Sequence, residues 1–260
     1  MIGFIGGGNM AEALLRGMAG KGLEGVQVSE PSEERRRHLE SALGVAAFYD
    51  NPRLARTSDI VLLAVKPQGM EAVLEEIRGA LTPEKTVVSI AAGITLRYLE
   101  ERLGTRKLVR VMPNMGAMVG ESMSVMSLCE CFAEDEITPV RDIFMSSGRV
   151  LVLPEKYMDA VTALSGSGPA FLALFVEAMA RAGEQAGLRE SDARELAVQT
   201  LRGTAALLDS GLSPERMIEM VRSPGGTTAA GLEVFEKRAL RLTVAEALQA
   251  AARRAAELAR

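Results

Sequence analysis

Tryptophan is missing from the chain, aromatic residues make up only 4% of it, and His38 is its single histidine. With few flat rings and a net charge of −4, the sequence offers neither a base-stacking platform nor a phosphate-tracking basic surface, so no nucleic-acid partner is expected. Cysteine is almost as scarce. Cys129 and Cys131 form a lone Cys-x-Cys pair with no second pair or nearby histidine to complete a metal site, and they are read as free thiols in a reducing compartment. The most apolar run, "AFLALFVEAMA" from Ala170, is too short to span a bilayer and contains Glu177. The strand pattern starts at Met1 and leaves no room for a signal peptide. These absences point to a cytoplasmic protein without a membrane partner.

What remains is a 260-residue chain with 48% hydrophobic and 25% charged residues, large enough for one domain or two. Through residue 150, short runs rich in Val and Ile alternate with amphipathic stretches: "MIGFI", "GVQVS", "DIVLLAV", "KTVVSIA" and "KLVRVM", then "SMSVMSL" and "RVLVL" around a helical pattern from Glu134 to Ser147. That alternation predicts a parallel sheet with helices on both faces. After Pro154 the apolar positions recur at helical spacing over 170–187, 190–209, 213–221 and 228–259. The fold class expected is therefore α/β, a Rossmann-like dinucleotide-binding domain followed by an all-helical domain. The boundary falls at 151–156, which gives 1–152 and 153–260. The helical part is so rich in Ala, Leu and Met that its helices must bury more than one face, which predicts an oligomer formed through it.

The first strand runs into Gly6-x-Gly8-x-x-Ala11 and then a helix. Gly6 suits the tight turn and Gly8 the close approach of a pyrophosphate at the helix N-terminus. At the end of the second strand, Glu30 fits a ribose 2′-hydroxyl and argues for NAD, whereas Arg35 and Arg36 fit a 2′-phosphate and argue for NADP. A solvated helix start capped by Ser32 explains the same letters. The third strand ends at Val65-Lys66-Pro67, where ligands sit in open α/β sheets. Lys66 reads as a phosphate contact, a catalytic amine or a solvated lysine. Asn51 reads as a helix cap or a ribose contact. In the helical half, "RSPGGTTAAG" from Arg222 interrupts the pattern with a proline, two glycines and two threonines, either as an interhelical turn or as a backbone that approaches a small ligand.

The motifs "GFIGGGNMAEAL", "AVKPQ", "VVSIAAGI", "VRVMPN", "MDAVTALSGSGPAF" and "SPGGTTAAGL", in this order from Met1 to Leu258, resemble the pyrroline-5-carboxylate reductase family, which closes proline biosynthesis. The resemblance implies a Rossmann domain, a helical domain that interlocks with a second copy into a homodimer or a larger ring of dimers, and NADPH, or alternatively NADH, as cofactor. It implies that Gly6, Gly8, Asn9 and Met10 cradle the cofactor phosphates, that Asn51 reaches the adenosine end, and that Ala64, Val65, Lys66, Pro67 and Ala91 line the nucleotide. The substrate carboxylate would lie on Ser223, Gly225, Gly226, Thr227 and Thr228, with the Thr228 hydroxyl against the ring nitrogen as the catalytic contact.

Three departures from the family pattern stand out. Asn114-Met115-Gly116 replaces Asn-Thr-Pro, Ser122 replaces Gly, and Arg222 replaces a frequent Thr. The first is expected to loosen its loop, since a rigid proline has become glycine. The implied substrate is a cyclic imine, so no strong general acid is required, and His38, in a charged helical run, is expected to face solvent. A reductase acting on a ketone would want an acid for the new alkoxide. The helix "SGSGPAFLALFVEAMARAGEQAGL" contains no lysine, which sets the chain apart from β-hydroxyacid dehydrogenases of similar plan.

Overall fold

The computed structural model describes every residue except Lys21, Glu130 and Arg260, and leaves the Glu134 side chain aside. The chain divides into two compact units, one comprising Met1–Ser167 with Ala250–Arg260 and the other Gly168–Gln249. This differs from the boundary expected at 152/153. Residues 153–167 pack with the nucleotide unit, and so does the C-terminal segment, whose Leu258 carbonyl lies where a Cβ on Gly93 would be, 2.5 Å away.

In the first unit, the order is β1 (Ile2–Ile5), α1 (Asn9–Ala19), β2 (Val26–Ser29), α2 (Glu33–Leu43), β3 (Ala46–Phe48), α3 (Asn51–Thr57), β4 (Ile60–Leu63), α4 (Met70–Ile77), β5 (Thr86–Ser89), α5 (Leu96–Leu103), β6 (Leu108–Met112), β7 (Ser122–Leu128), α6 (Glu134–Met145), β8 (Gly148–Val152) and the short α7 (Met158–Val161). Among the described residues the strands form one eight-stranded sheet in the order β3-β2-β1-β4-β5-β6-β7-β8. The ladder is parallel as expected except for the antiparallel pair β6 and β7. The three-residue β3 went unread in the sequence.

Period-2 alternation explains the two cores. Phe4, Leu62 and Val88 point to one face of the sheet, with Leu14, Leu15, Leu39 and Phe144. Their neighbours Ile5, Leu63 and Val87 point to the other, with Leu54, Leu74, Ile77 and Leu99. Local signals set the helix ends. The Ser32 hydroxyl accepts from the Arg35 N–H at 3.3 Å as the expected cap of α2, and Gly44 closes that helix at φ 68°. Cys129 and Cys131 are joined in a disulfide, which overturns the expectation of free thiols. Their separation by one residue brings the Cα atoms to 5.2 Å, within bridging reach.

The second unit contains α8 (Gly168–Gln185), α9 (Glu190–Asp209), α10 (Pro214–Val221), α11 (Thr227–Lys237) and most of α12 (Leu240–Leu258). The single helix expected over 228–259 is broken between α11 and α12 by Ala239 at φ 52°. No glycine or proline marks that break. The helices α8 and α9 approach closely because Gly183 faces Ala193, whose Cβ would lie 3.1 Å from a Cβ at 183. On the other faces of this unit Leu174, Phe175, Leu196, Val234 and Leu242 are exposed.

Glu12, on α1, gathers Arg16 and Arg35 at 2.5 Å each and His38 at 3.1 Å. Burial raises its pKa, but the hydrogen bonds from His38, Arg16 and Arg35 outweigh that and hold the carboxyl down at about 2. A depressed carboxylate stabilises the fold above its unfolded pKa near 4.5 and loses that contribution as pH falls toward 2. Because Arg16 and His38 are about half exposed, we expect Glu12→Gln to cost only about 1 kcal/mol at pH 7. In denaturant titrations the gap between wild type and variant should close between about pH 5 and 2.

Candidate active site

The turn after β1 is held in place from several sides. Gly6 adopts φ 96°, and a Cβ there would lie 2.7 Å from the Ala64 carbonyl oxygen, so only glycine fits. The Gly7 N–H donates to Glu30 Oε2 at 2.7 Å, and the Gly7 carbonyl accepts from Arg35 Nε at 2.5 Å. Glu12 in turn holds Arg35. Gly8 then leads into α1 with no side-chain cap, and a Cβ on it would meet nothing within 4 Å. The first amides of α1 are therefore left for an anion, as a pyrophosphate requires.

A cleft of about 400 Å³ opens along the C-terminal ends of the strands. It is lined by Gly8, Asn9 and Met10 after β1, by Ala64, Val65, Lys66 and Pro67 after β4, and by Ala91 between Ile90 and Ala92 after β5. Met112 and Pro113 complete it after β6. Volume, open backbone and uncapped helix suit a dinucleotide. Ile90, Ala92, Met112 and Pro113 were not singled out in the sequence, although the rule that ligands sit at strand C-termini pointed to their loops. Lys66 is exposed at the cleft, extended at ψ 148° ahead of Pro67, as a residue before proline must be.

One sequence expectation at the β2 end changes. Asn51 does not line the cleft: it is buried, its Oδ1 accepts from Ser29 Oγ at 2.7 Å, and its Nδ2 donates to Glu76 at 2.7 Å. Its carboxamide is thus engaged at both ends within the fold, and the helix cap is Asp50, which accepts from the Arg53 N–H at 2.8 Å. Arg35 and Arg36 both hold backbone carbonyls around the loop. Arg35 serves Gly7 and Glu12, and Arg36 Nη1 donates to the Glu30 and Pro31 carbonyls at 2.6 and 2.7 Å. The Glu30 carboxylate accepts from the Gly7 and Ser32 N–H groups and lies at the rim of the phosphate loop.

The loop after β6 is not loosened as expected. The Gly116 N–H donates to Asn114 Oδ1 at 3.1 Å, which no proline could do, and a Cβ at 116 would sit 2.3 Å from the Glu121 carbonyl oxygen. Ser122, buried, adds its hydroxyl as acceptor for the Asn114 N–H at 3.3 Å.

In the second unit, Ser223-Pro224-Gly225-Gly226 is a tight turn. Gly225 is at φ 68°, and the Gly226 N–H donates to the Ser223 carbonyl at 3.1 Å, which matches the type that favours proline followed by glycine. A Cβ on Gly226 would meet Ser223 Oγ at 2.3 Å. The turn delivers the chain to α11, again through an uncapped glycine, with Thr227 and Thr228 in the first turn. A hollow of about 470 Å³ adjoins it, lined by Arg222, Ser223, Pro224 and Ala229 among others.

The cleft and the braced glycine loop define a dinucleotide-dependent oxidoreductase. Residues 1–93 match the family described as NADP oxidoreductase, coenzyme F420-dependent, and residues 155–258 match pyrroline-5-carboxylate reductase dimerisation. Pyrroline-5-carboxylate reductases of Synechocystis sp. and Arabidopsis thaliana are 40% and 41% identical to the chain over 99% of its length and 97% and 95% of theirs. A pyrroline-5-carboxylate reductase structure from Coxiella burnetii superimposes with a TM-score of 0.93 at 35% identity, covering 100% of this chain and 98% of that one. The Plasmodium falciparum pyrroline carboxylate reductase structure, which has NADP bound, gives 0.89 at 32% identity, covering 100% and 98%. The chain belongs to the pyrroline-5-carboxylate reductase family.

The dimerisation match accounts for the uncovered helices and makes the chain a homo-oligomer. It also bears on the stretch Glu155–Gln185, which, contrary to the expectation from its shorter apolar run, is long and apolar enough by length and composition to cross a membrane. A helix that is apolar on its open side and lies in a dimerisation segment has a protein partner as its cover.

Glu30 also supplies a cofactor test. If its carboxylate meets the adenosine ribose, Glu30→Ser relieves repulsion with a 2′-phosphate, and the ratio of kcat/KM for NADPH over NADH should rise about tenfold. KM should rise for both cofactors as the Gly7 N–H loses its partner. An unchanged ratio in steady-state assays would show that the carboxylate only braces the loop.

Proposed function

We propose that this chain reduces 1-pyrroline-5-carboxylate to proline with hydride from NADPH, and that the turn Ser223–Gly226 with Thr227 and Thr228 holds the substrate. The observation that carries the substrate assignment is the uncapped N-terminus of α11, reached through a turn of small residues. Its free amides and positive dipole end suit a carboxylate. Thr228 is half-buried in the first helical turn, where its hydroxyl faces the ring nitrogen in this reading.

Gly6, Gly8, Asn9 and Met10 would hold the cofactor phosphates, and Ala64 to Pro67 with Ala91 the remainder of the nucleotide. The bound reduced nicotinamide supplies the hydride. A protonated imine already carries the positive charge that draws hydride to carbon, and its product is an amine rather than an alkoxide. No general acid is then needed at the reacting carbon, which agrees with a helix α8 that contains no lysine and with a single histidine engaged at Glu12. Rate comes from placing the two reactants and holding the cation.

A nucleotide-binding unit followed by a helical dimerisation unit, a homodimer as the working unit that assembles further into a ring, no nucleic-acid partner and no membrane complete the reading. A cytoplasmic location is supported by the use of a reduced nicotinamide pool. The Cys129–Cys131 bridge does not support it, since closed disulfides belong to oxidising surroundings.

Oxidation of NADPH with the cyclic imine, followed by absorbance, tests the activity. Losing one hydrogen bond to a charged group costs about 1.5 to 3 kcal/mol, so Thr228→Ala should lower kcat/KM roughly ten- to a hundredfold, and Thr228→Ser much less. Wild-type kcat/KM in a folded, dimeric Thr228→Ala variant would remove Thr228 from the site. For the assembly, Leu174 on α8 is 64% exposed, so Leu174→Glu costs a monomer little. Sedimentation should nevertheless show dimers falling apart, with activity lost alongside.

A further inference from the structure

We propose that Asn114 is a positioning residue that fixes the nicotinamide end of the cleft, a role that rests on the reading of that cleft as the cofactor site. The strand order β2-β1-β4-β5-β6 puts the Met112–Pro113 wall at the end of the cleft farthest from β2, where the adenosine ribose is tested. The reacting ring therefore lies on that wall. Asn114 follows it directly, and its one carboxamide ties two separate segments to it.

Its Oδ1 accepts from the Gly116 N–H at 3.1 Å and the Met123 N–H at 3.4 Å, which closes the loop between β6 and β7. Its Nδ2 donates to the carbonyl and the hydroxyl of Ser165 at 3.3 and 3.2 Å. Ser165 belongs to a π-helical turn, Thr162–Gly166, closed by the Ser167 N–H on the Thr162 carbonyl at 2.9 Å. Such turns are rare and frequent at functional sites. The same turn carries Gly166, where a Cβ would come within 2.6 Å of Met112 Cε. The cleft-lining methionine thus packs on the segment that Asn114 holds, so the wall, the loop and the turn move together or not at all. The donor and acceptor ends of this carboxamide each serve a different segment.

Freeing the wall should widen the spread of hydride-transfer distances without touching the phosphate loop at the other end of the cleft. Asn114→Ala should therefore lower kcat about tenfold, with the NADPH Kd, read by cofactor fluorescence, and the KM for 1-pyrroline-5-carboxylate held within about twofold. With deuterated reduced cofactor, the primary isotope effect on kcat should rise, because the chemical step has become slower. Asn114→Asp keeps the acceptor for Gly116 and Met123 but has no N–H for the Ser165 carbonyl. It should show the same pattern and serves if the alanine variant does not fold. Wild-type kcat in either folded variant would overturn the proposal. So would a lowered kcat with an unchanged isotope effect, the mark of a smaller active fraction. A wild-type protein with no reductase activity would instead sink the functional reading.

Discussion

The contact between Gly6 and the Ala64 carbonyl is the constraint on which the nucleotide unit depends. It lets the β1 turn pass against the end of β4, and only there can Gly7 offer its N–H to Glu30 and its carbonyl to Arg35. A side chain at position 6 would push the turn off β4 and close the cleft whose walls are the two loops. The bracing continues outward through Glu12, which keeps Arg35 in place against the cost of its own burial. Charged residues that read as a solvated helix start are thereby part of the scaffold beneath the glycine loop.

The helical unit obeys a different constraint. It has almost no buried large side chains of its own, with Ala193 and Ala197 its buried apolar residues, while Leu174, Leu196 and Val234 stay open. Burial of apolar area contributes roughly 25 cal/mol per Å², so a unit with this exposure gains its stability from association rather than from an internal core. The turn between α10 and α11, which the proposed reading gives to the substrate, is carried by the element that association completes. In that reading folding, assembly and substrate placement would be coupled.

Much of this was legible in the letters because it depends on periodicity and on glycine. Alternating Val- and Ile-rich runs gave seven of the strands, and the glycines at 6 and 8 gave the tight turn into α1. What stayed hidden depended on contacts across the fold. Ala46–Phe48 is too short to show a period, and the reversal of direction between β6 and β7 lies in pairing, not in composition. Ala239 breaks a helix in a conformation that its side chain disfavours, so no breaker residue announces it. Asn51 carries the right chemistry for a ribose, and its bonds to Ser29 and Glu76 could not be read from the letters; Gly116, read as a loss of rigidity, supplies the N–H that proline lacks. In each case the residue type was visible and its partner was not.

The scarcity of histidine that marks the sequence then has a physical counterpart in how the two units present their helices. The helices α1 and α11 both begin at a glycine in extended conformation, Gly8 at ψ −176° and Gly226 at ψ 171°, and neither has a side-chain cap. Ser32, Asp50, Thr95 and Ser213 cap α2, α3, α5 and α10 with an oxygen from the side chain, while α4 and α9 share the lack of a cap without an extended glycine at the start. A capped helix has its first amides partly filled, whereas an uncapped one retains them for an anion from outside. In the proposed reading, one of these termini takes the cofactor pyrophosphate and the other the substrate carboxylate. Both reactants would then be held by main-chain dipoles whose strength does not vary with pH. The charge that matters for the reaction resides on the imine itself, and a chain with one histidine lacks nothing that this chemistry requires.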